Sequence, residues 1–244
     1  MLFRSRVAVT VTAEDGTTGF GFTNHGAPVR EIVNGHFAPL LADSDAMATE
    51  MHWDAMRRAS APYGSAGLAS YAMSAVDIAL WDLKGKLLKR PVYELLGGPQ
   101  KSAIECYASN TDLQWGTPES IAWFLELGFR AVKVFLRDGP EAGISGVRRA
   151  EELVASTREQ VGPDVEVMVD AWISLNVEQA VRIGEAIRPY RPKWLEDYLL
   201  PEDMQGYRRV RERLPGAVLA SGEHWYTLQP FAEAAAHGLV DILQ

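Results

Sequence analysis

Apolar residues change their spacing partway along the chain. Residues 6–12 alternate, with Val7, Val9 and Val11 on one face and Ala8, Thr10 and Thr12 on the other, the period-2 pattern of a half-buried strand. Glu14-Asp15-Gly16-Thr17 supplies turn chemistry and Gly19-Phe20-Gly21-Phe22 begins a return strand, which predicts an antiparallel hairpin. A helix is expected near residues 29–41, and another from the capping candidates Ser44 and Asp45 to about residue 59. After the loop 61–67, a long helix over 68–89 sets Leu68, Ala72, Val76, Leu80, Leu83 and Leu87 on one face. Pro91 and Gly97-Gly98-Pro99 close a last short helix. A hairpin followed by helices is an α+β unit, assigned to residues 1–100.

From Ile104 onward, strand and helix patterns alternate. Strands are expected at 103–108, 131–135, 165–169, 193–196, 217–222 and 239–243, with a helical pattern between each pair. Parallel βα order of this kind predicts a partial (β/α) TIM-type barrel of about six strands over residues 101–244, where a closed barrel has eight. The fold class is therefore α/β, an α+β capping domain followed by that partial barrel.

Three acids sit at the ends of successive predicted strands: Asp170 in Val-Met-Val-Asp, Glu196 in Trp-Leu-Glu and Glu223 in Ser-Gly-Glu. They are 26 and 27 residues apart, about one strand-helix unit of a parallel barrel. Each falls at the C-terminal end of its strand, where such barrels carry out chemistry. Three converging carboxylates repel one another unless a hard cation lies between them, and oxygen-only ligation suits Mg²⁺. The competing reading, three solvated loop acids, is weakened because each follows an apolar strand or its Ser-Gly end.

Composition narrows the partners. The 244 residues are 47% hydrophobic, ample for a core, and carry a net charge of −8 with no basic run, which argues against nucleic acid. A single cysteine, Cys106, forms no internal disulfide and fits a reducing cytosol. No stretch of roughly 18 apolar residues predicts a membrane span. Met1-Leu2-Phe3, followed at once by Arg4 and Arg6, lacks a signal-peptide pattern. The expectation is a cytoplasmic protein without a membrane partner. Gly19-Phe20-Gly21 and Gly97-Gly98 are read as turn glycines outside any phosphate-cradling loop, and Ser221 lacks a Gly-x-Ser-x-Gly setting.

These residues resemble the enolase superfamily in its mandelate racemase-like branch. The resemblance is carried by 75–86 (Ala-Val-Asp-Ile-Ala-Leu-Trp-Asp-Leu-Lys-Gly-Lys) and 91–98 (Pro-Val-Tyr-Glu-Leu-Leu-Gly-Gly). Similarity to L-rhamnonate dehydratase-like acid-sugar dehydratases rests on Tyr63-Gly64-Ser65-Ala66-Gly67, Ser221-Gly222-Glu223-His224, Thr227-Leu228-Gln229 and Asp241-Ile242-Leu243-Gln244. The resemblance implies Asp170, Glu196 and Glu223 as Mg²⁺ ligands. It also implies a sugar-acid substrate, α-proton abstraction to a metal-stabilised enediolate, and loss of water to give a 2-keto-3-deoxy acid. Homo-oligomers are common in the family. Such enzymes begin earlier and continue past residue 244, through an Asp, a His that is the general base, and a Glu. The chain accordingly reads as a piece truncated at both ends, expected to be inactive alone.

Other residues divide less sharply. Relatives often carry Lys-x-Lys at the second barrel strand, but here the pattern is Lys133-Val134-Phe135, and Phe135 takes no proton. That weighs against a racemase, epimerase or cycloisomerase, the alternative within the superfamily; a non-catalytic metal or sugar-acid binder is the alternative outside it. Lys133 is a candidate to neutralise the substrate carboxylate, against a strand-end lysine reaching solvent; Arg137 is a weaker one. His224, directly after a predicted ligand, is a candidate hydrogen-bond partner or proton donor, against a structural histidine. Trp172, Asn176 and Trp225 are candidate pocket residues, and Asp197 a candidate to orient a neighbour. His25 has weak support as part of a capping loop, while His36, His52 and His237 read as surface or packing residues.

Overall fold

A computed structural model describes residues 5–110 and 117–244. Residues 1–4, which start the N-terminal pattern noted above, lie outside the described residues. The chain divides into two compact units, Met1–Ala103 and Ile104–Gln244.

In the first unit the alternating segments pair as expected. Strand β1 (Val7–Thr12) runs antiparallel to β2 (Thr18–Thr23) with Val7 opposite Thr23 and Thr12 opposite Thr18. The turn closes where Thr17 N–H donates to Asp15 Oδ1 at 2.9 Å and Gly16 takes φ 84°. Helices α1 (Gly26–Ile32) and α2 (Ala38–Leu41) are joined by a π-helical turn over Val33–Phe37, so the predicted helix 29–41 is one interrupted rod. Helix α3 (Thr49–Ser60) starts later than predicted, because Asp45 spends its carboxylate on the Met47 N–H in the preceding turn. Helix α4 (Leu68–Leu88) buries Ala72, Val76, Leu80 and Leu83, but Leu68 is exposed. Helix α5 (Val92–Leu95) ends the unit's helices, with Gly97 and Gly98 beyond it.

Gly19 and Gly21 are not turn glycines. Both lie inside β2, and α4 packs onto them directly: a Cβ on Gly21 would lie 2.1 Å from the Ala75 carbonyl oxygen. A missing side chain on alternate strand positions lets a helix backbone approach the sheet. A cavity of about 1230 Å³, lined entirely by residues of this unit, runs along β1.

The second unit is a single sheet of six parallel strands in sequence order, with a helix in every connection. They are β3 (Ala108–Asn110), β4 (Ala131–Phe135), β5 (Glu166–Asp170), β6 (Leu195–Glu196), β7 (Leu219–Ser221) and β8 (Ile242–Leu243). Helices α6 (Pro118–Glu126), α7 (Gly143–Val161), α8 (Val177–Ile187), α9 (Met204–Arg213) and α10 (Leu228–His237) connect them. This is the βα succession of a barrel sector. The first strand begins at Ala108 rather than 103, and β6 keeps only two ladder residues. Three helices start on side-chain caps: Thr117 accepts from Ser120 N–H, Asn176 from Gln179 N–H and Asp203 from Gly206 N–H.

Strand alternation sorts the side chains into two layers. Val132, Val134, Val167, Val169, Leu195 and Leu219 join Val154, Ile183, Ile187 and Val210 from the helices in one apolar core. On the other face Met168, Trp194 and Ala220 form a separate small cluster with Ala131 and Ile242. Lys133, Asp170 and Glu196 share the parity of that second face. No helix among the described residues is long and apolar enough to cross a membrane.

Candidate metal centre

Register explains how the acids meet. Phe135 pairs with Asp170, and Asp170 with Glu196, so the C-terminal ends of β4, β5 and β6 lie side by side. Asp170 and Glu196 are 2% and 0% exposed. Lys133, two residues back along β4, reaches between them, its Nζ 3.1 Å from Asp170 Oδ2 and 2.5 Å from Glu196 Oε1. It is itself 5% exposed and does not reach solvent. The Trp194 indole donates to Glu196 Oε2 at 2.7 Å, and the Trp172 N–H donates to Asp170 Oδ1 at 2.8 Å. The Tyr107 ring centre lies 5.6 Å from Lys133 Nζ, a cation–π contact.

Electrostatics follow from this burial. Removal from water raises the Asp170 pKa, with the neighbouring Lys133 cation pulling it back. For Lys133, burial pushes the pKa down, but Asp170 and Glu196 outweigh it and hold the ammonium above its usual value.

A second group lies just beyond the strand ends. The Ser221 hydroxyl donates to Asp197 Oδ1 at 2.5 Å, and the Tyr207 hydroxyl stands 2.9 Å from Ser221 Oγ and 3.2 Å from the Leu199 carbonyl oxygen. Asp197 Oδ2 is buried without a hydrogen-bond partner and faces His224 Nε2 at 3.7 Å; Glu223 Oε1 is 3.4 Å from the same nitrogen. Burial, with Glu223 adding to it, pushes the Asp197 carboxyl up to about 6. Among the described residues, ligand atoms of Asp197, Glu223 and His224 all lie within 4.8 Å of one another. Lys133, not Glu223, stands directly against Asp170 and Glu196, and the Glu223 side chain is 47% exposed.

The backbone is strained here. Trp172, Ile173 and Asp197 take φ of 43°, 54° and 45°, left-handed values that cost a non-glycine residue on the order of 1–3 kcal/mol each. The Asp170 carboxylate holds the Trp172 N–H, and the Ile173 N–H donates to the Asp197 carbonyl oxygen at 2.5 Å. These turns direct the indole of Trp172 sideways, its ring centre 6.3 Å from Phe135 and 6.4 Å from His224.

The other candidates separate clearly. Asn176 caps α8 through the Gln179 N–H. Trp225 is buried against Tyr207 and Phe231 as core. His52 is buried and meets the Asp45 carbonyl oxygen at 2.7 Å, a packing role. His25 takes φ 70° at the start of α1, and His36 bonds the Tyr63 hydroxyl. Of the Tyr207–Ser221–Asp197 chain the sequence singled out only Asp197, as a residue orienting a neighbour; Tyr207 and Ser221 come from a helix and a strand distant in sequence and carried no such signal.

The donor set fits a hard dication. Asp170, Glu196 and Glu223 offer only carboxylate oxygens, and one lysine is set against three buried carboxylates, Asp170, Glu196 and Asp197. When Asp170 and Glu196 are both ionised, the single Lys133 cation leaves negative charge over at the strand ends.

Comparison with known proteins agrees with this architecture. Residues 3–97 match the mandelate racemase / muconate lactonizing enzyme N-terminal domain, and residues 119–244 match the enolase C-terminal domain-like family. The chain is 41% identical over 239 residues to L-rhamnonate dehydratase of Saccharopolyspora erythraea, covering 98% of this chain and 59% of that protein. It superposes on rhamnonate dehydratase from Gibberella zeae complexed with Mg with a TM-score of 0.91 at 34% identity, over 99% of this chain and 57% of that one. The 3,6-anhydro-D-galactonate cycloisomerase from Zobellia galactanivorans gives 0.89 at 32% identity, over 99% and 66%. The chain thus spans well under two thirds of the length of the rhamnonate dehydratases it matches. With both domain families matched in order along one chain, this protein belongs to the mandelate racemase / muconate lactonizing enzyme family of the enolase superfamily.

Proposed function

We propose that these residues form the metal-holding part of a Mg²⁺-dependent acid-sugar dehydratase acting on an L-rhamnonate-like aldonate. The observation that carries this reading is the pair of buried strand-end carboxylates, Asp170 and Glu196, joined through Lys133. The 41% identity to an L-rhamnonate dehydratase supports the choice of substrate class. Asp170, Glu196 and Glu223 would hold the ion. Bound there, Mg²⁺ supplies positive charge where a substrate carboxylate gains negative charge on losing its α-proton.

The chain's own groups divide the remaining work. Lys133, fixed as a cation, draws the anionic end of the substrate towards the strand ends. His224 Nε2 holds a proton for the departing hydroxyl. Phe135 and Trp172 form an apolar wall that excludes water on the side where a second base would stand in a racemase. The family resemblance puts the general base outside these 244 residues, so this chain alone is read as binding without turnover, in a cytoplasmic homo-oligomer when whole.

A panel of aldonates incubated with the parent protein and Mg²⁺, scored for 2-keto-3-deoxy acid, tests the reading. L-Rhamnonate or a close stereoisomer should give product, and Asp170→Asn should abolish it. Product with no aldonate, or equal turnover after metal chelation, overturns it.

A further inference from the structure

We propose that Asp197, Glu223 and His224 form a second cation site, one that takes Zn²⁺ and is separate from the Asp170–Glu196–Lys133 cluster. Three atoms able to ligate a cation converge there, Asp197 Oδ2, Glu223 Oε1 and, once it gives up its proton, His224 Nε2. Glu223 Oε1 and Asp197 Oδ2 lie 3.4 and 3.7 Å from the imidazole nitrogen, too far for a hydrogen bond of good strength. Asp197 is 0% exposed, and its Oδ2 has no partner, as is also true of His224 Nε2. Asp197 Oδ2 is buried without a hydrogen bond and faces Nε2 across 3.7 Å, so a cation taking the place of the Nε2 proton would meet both atoms.

Spacing and donor type select the ion. Metal–ligand bonds of about 2.0–2.2 Å in a tetrahedral shell place neighbouring donors roughly 3.4 Å apart, close to the separations found here. One nitrogen and two oxygens suit Zn²⁺, and three protein ligands leave a fourth position for water. Mg²⁺ prefers oxygen alone.

The mount is already built. Ser221, itself held by the Tyr207 hydroxyl, donates to Asp197 Oδ1, which fixes the carboxylate with Oδ2 turned to His224. Glu223, half exposed, is the third arm and gives the ion a route in. Glu223 also belongs to the proposed Mg²⁺ set, so Zn²⁺ here would draw it away and oppose Mg²⁺ binding. The Zn²⁺ site itself does not depend on the dehydratase reading.

Calorimetric titration of the metal-free 244-residue chain with Zn²⁺, and separately with Mg²⁺, tests this in four forms: unaltered, His224→Gln, Asp197→Asn and Asp170→Asn. Co²⁺ absorption in the visible range reports the coordination geometry. One Zn²⁺ per chain is expected, weakened at least about tenfold in both His224→Gln and Asp197→Asn, and changed less than about threefold in Asp170→Asn. Circular dichroism checks folding; should Asp197→Asn unfold, His224→Gln is the deciding variant, since the His224 side chain is 19% exposed against 0% for Asp197. Zn²⁺ affinity unaffected by His224→Gln overturns the proposal, as does equal loss in Asp170→Asn, which would mean one common centre. Absence of Mg²⁺ binding in every form, with Zn²⁺ behaving as stated, overturns the dehydratase site instead and leaves this one standing.

Discussion

Replacing Lys133 with methionine isolates the charge at the centre of the site. Methionine keeps most of the side-chain length, so packing changes little while the ammonium disappears. In its place two buried carboxylates, 2% and 0% exposed, face each other without the cation that now lies 3.1 and 2.5 Å from them. Removing one partner of a buried pair costs about 3–5 kcal/mol, because the remaining charge is left in a poorly polarisable setting. For a chain of this size that corresponds to a fall of roughly 6–20 °C in melting temperature.

The effect has a defined pH dependence. Lys133 holds its proton above the usual lysine value, so its contribution is complete throughout pH 5–7. Burial already raises the Asp170 pKa, and without Lys133 the chief opposing influence is gone, leaving only the Trp172 N–H to hold it down. A carboxyl whose folded pKa is raised favours the folded state at low pH and loses that advantage as pH rises through the folded value. The deficit of Lys133→Met is therefore largest at pH 7 and shrinks towards pH 5. Thermal and urea unfolding followed by circular dichroism in chelator, at both pH values, measures it. Lys133→Met combined with Glu196→Gln should cost at least about 1 kcal/mol less than the two single changes summed. A deficit below about 1 kcal/mol at pH 7, or one that grows as the solution is acidified, refutes the reasoning.

Three further changes probe the frame around the site. Gly21→Ala puts a Cβ within 2.1 Å of the Ala75 carbonyl oxygen, so it should cost on the order of 1–3 kcal/mol; an unchanged urea midpoint would show that α4 yields freely. Asn176→Ala removes the cap on the Gln179 N–H at 2.9 Å and should cost about 1 kcal/mol, whereas Asn176→Asp should restore most of it in thermal melts. Tyr207→Phe strips a buried hydroxyl from Ser221 Oγ and the Leu199 carbonyl, with about 1–2 kcal/mol expected in chemical denaturation; a more stable variant would refute the assigned network.

Much of the frame was legible from the sequence, since local rules govern it. Period-2 alternation placed the hairpin and the strand-helix rhythm placed the parallel strands, whereas the cap candidates Ser44 and Asp45 missed the start of α3 at Thr49. The structure puts Lys133, Asp170 and Glu196 on one face, because Phe135, Asp170 and Glu196 are level across the strands and Lys133, two residues before Phe135, points the same way. Local rules failed where a distant backbone intervened. Gly19 and Gly21 read as turn residues, yet their role is set by α4, whose backbone leaves no room for a Cβ. Asn176 and Trp225 looked like pocket residues by position in the chain, but one is consumed by a helix cap and the other by core packing.

Sequence by itself determined the strand ends that carry Asp170, Glu196 and Glu223, because spacing along a βα repeat is a one-dimensional quantity. Tertiary structure alone decided which charges touch. Lys133 is buried between two acids rather than stretched into water, since the register of β4, β5 and β6 sets Asp170 and Glu196 side by side and Lys133 on the same face two residues back, within reach of both. Asp197 turns towards His224 and Glu223 because its backbone takes a left-handed φ of 45° and Ser221, from a different strand, holds its other oxygen. Neither contact has a signature in the local sequence, as each depends on through-space distances between segments about 25 to 60 residues apart along the chain.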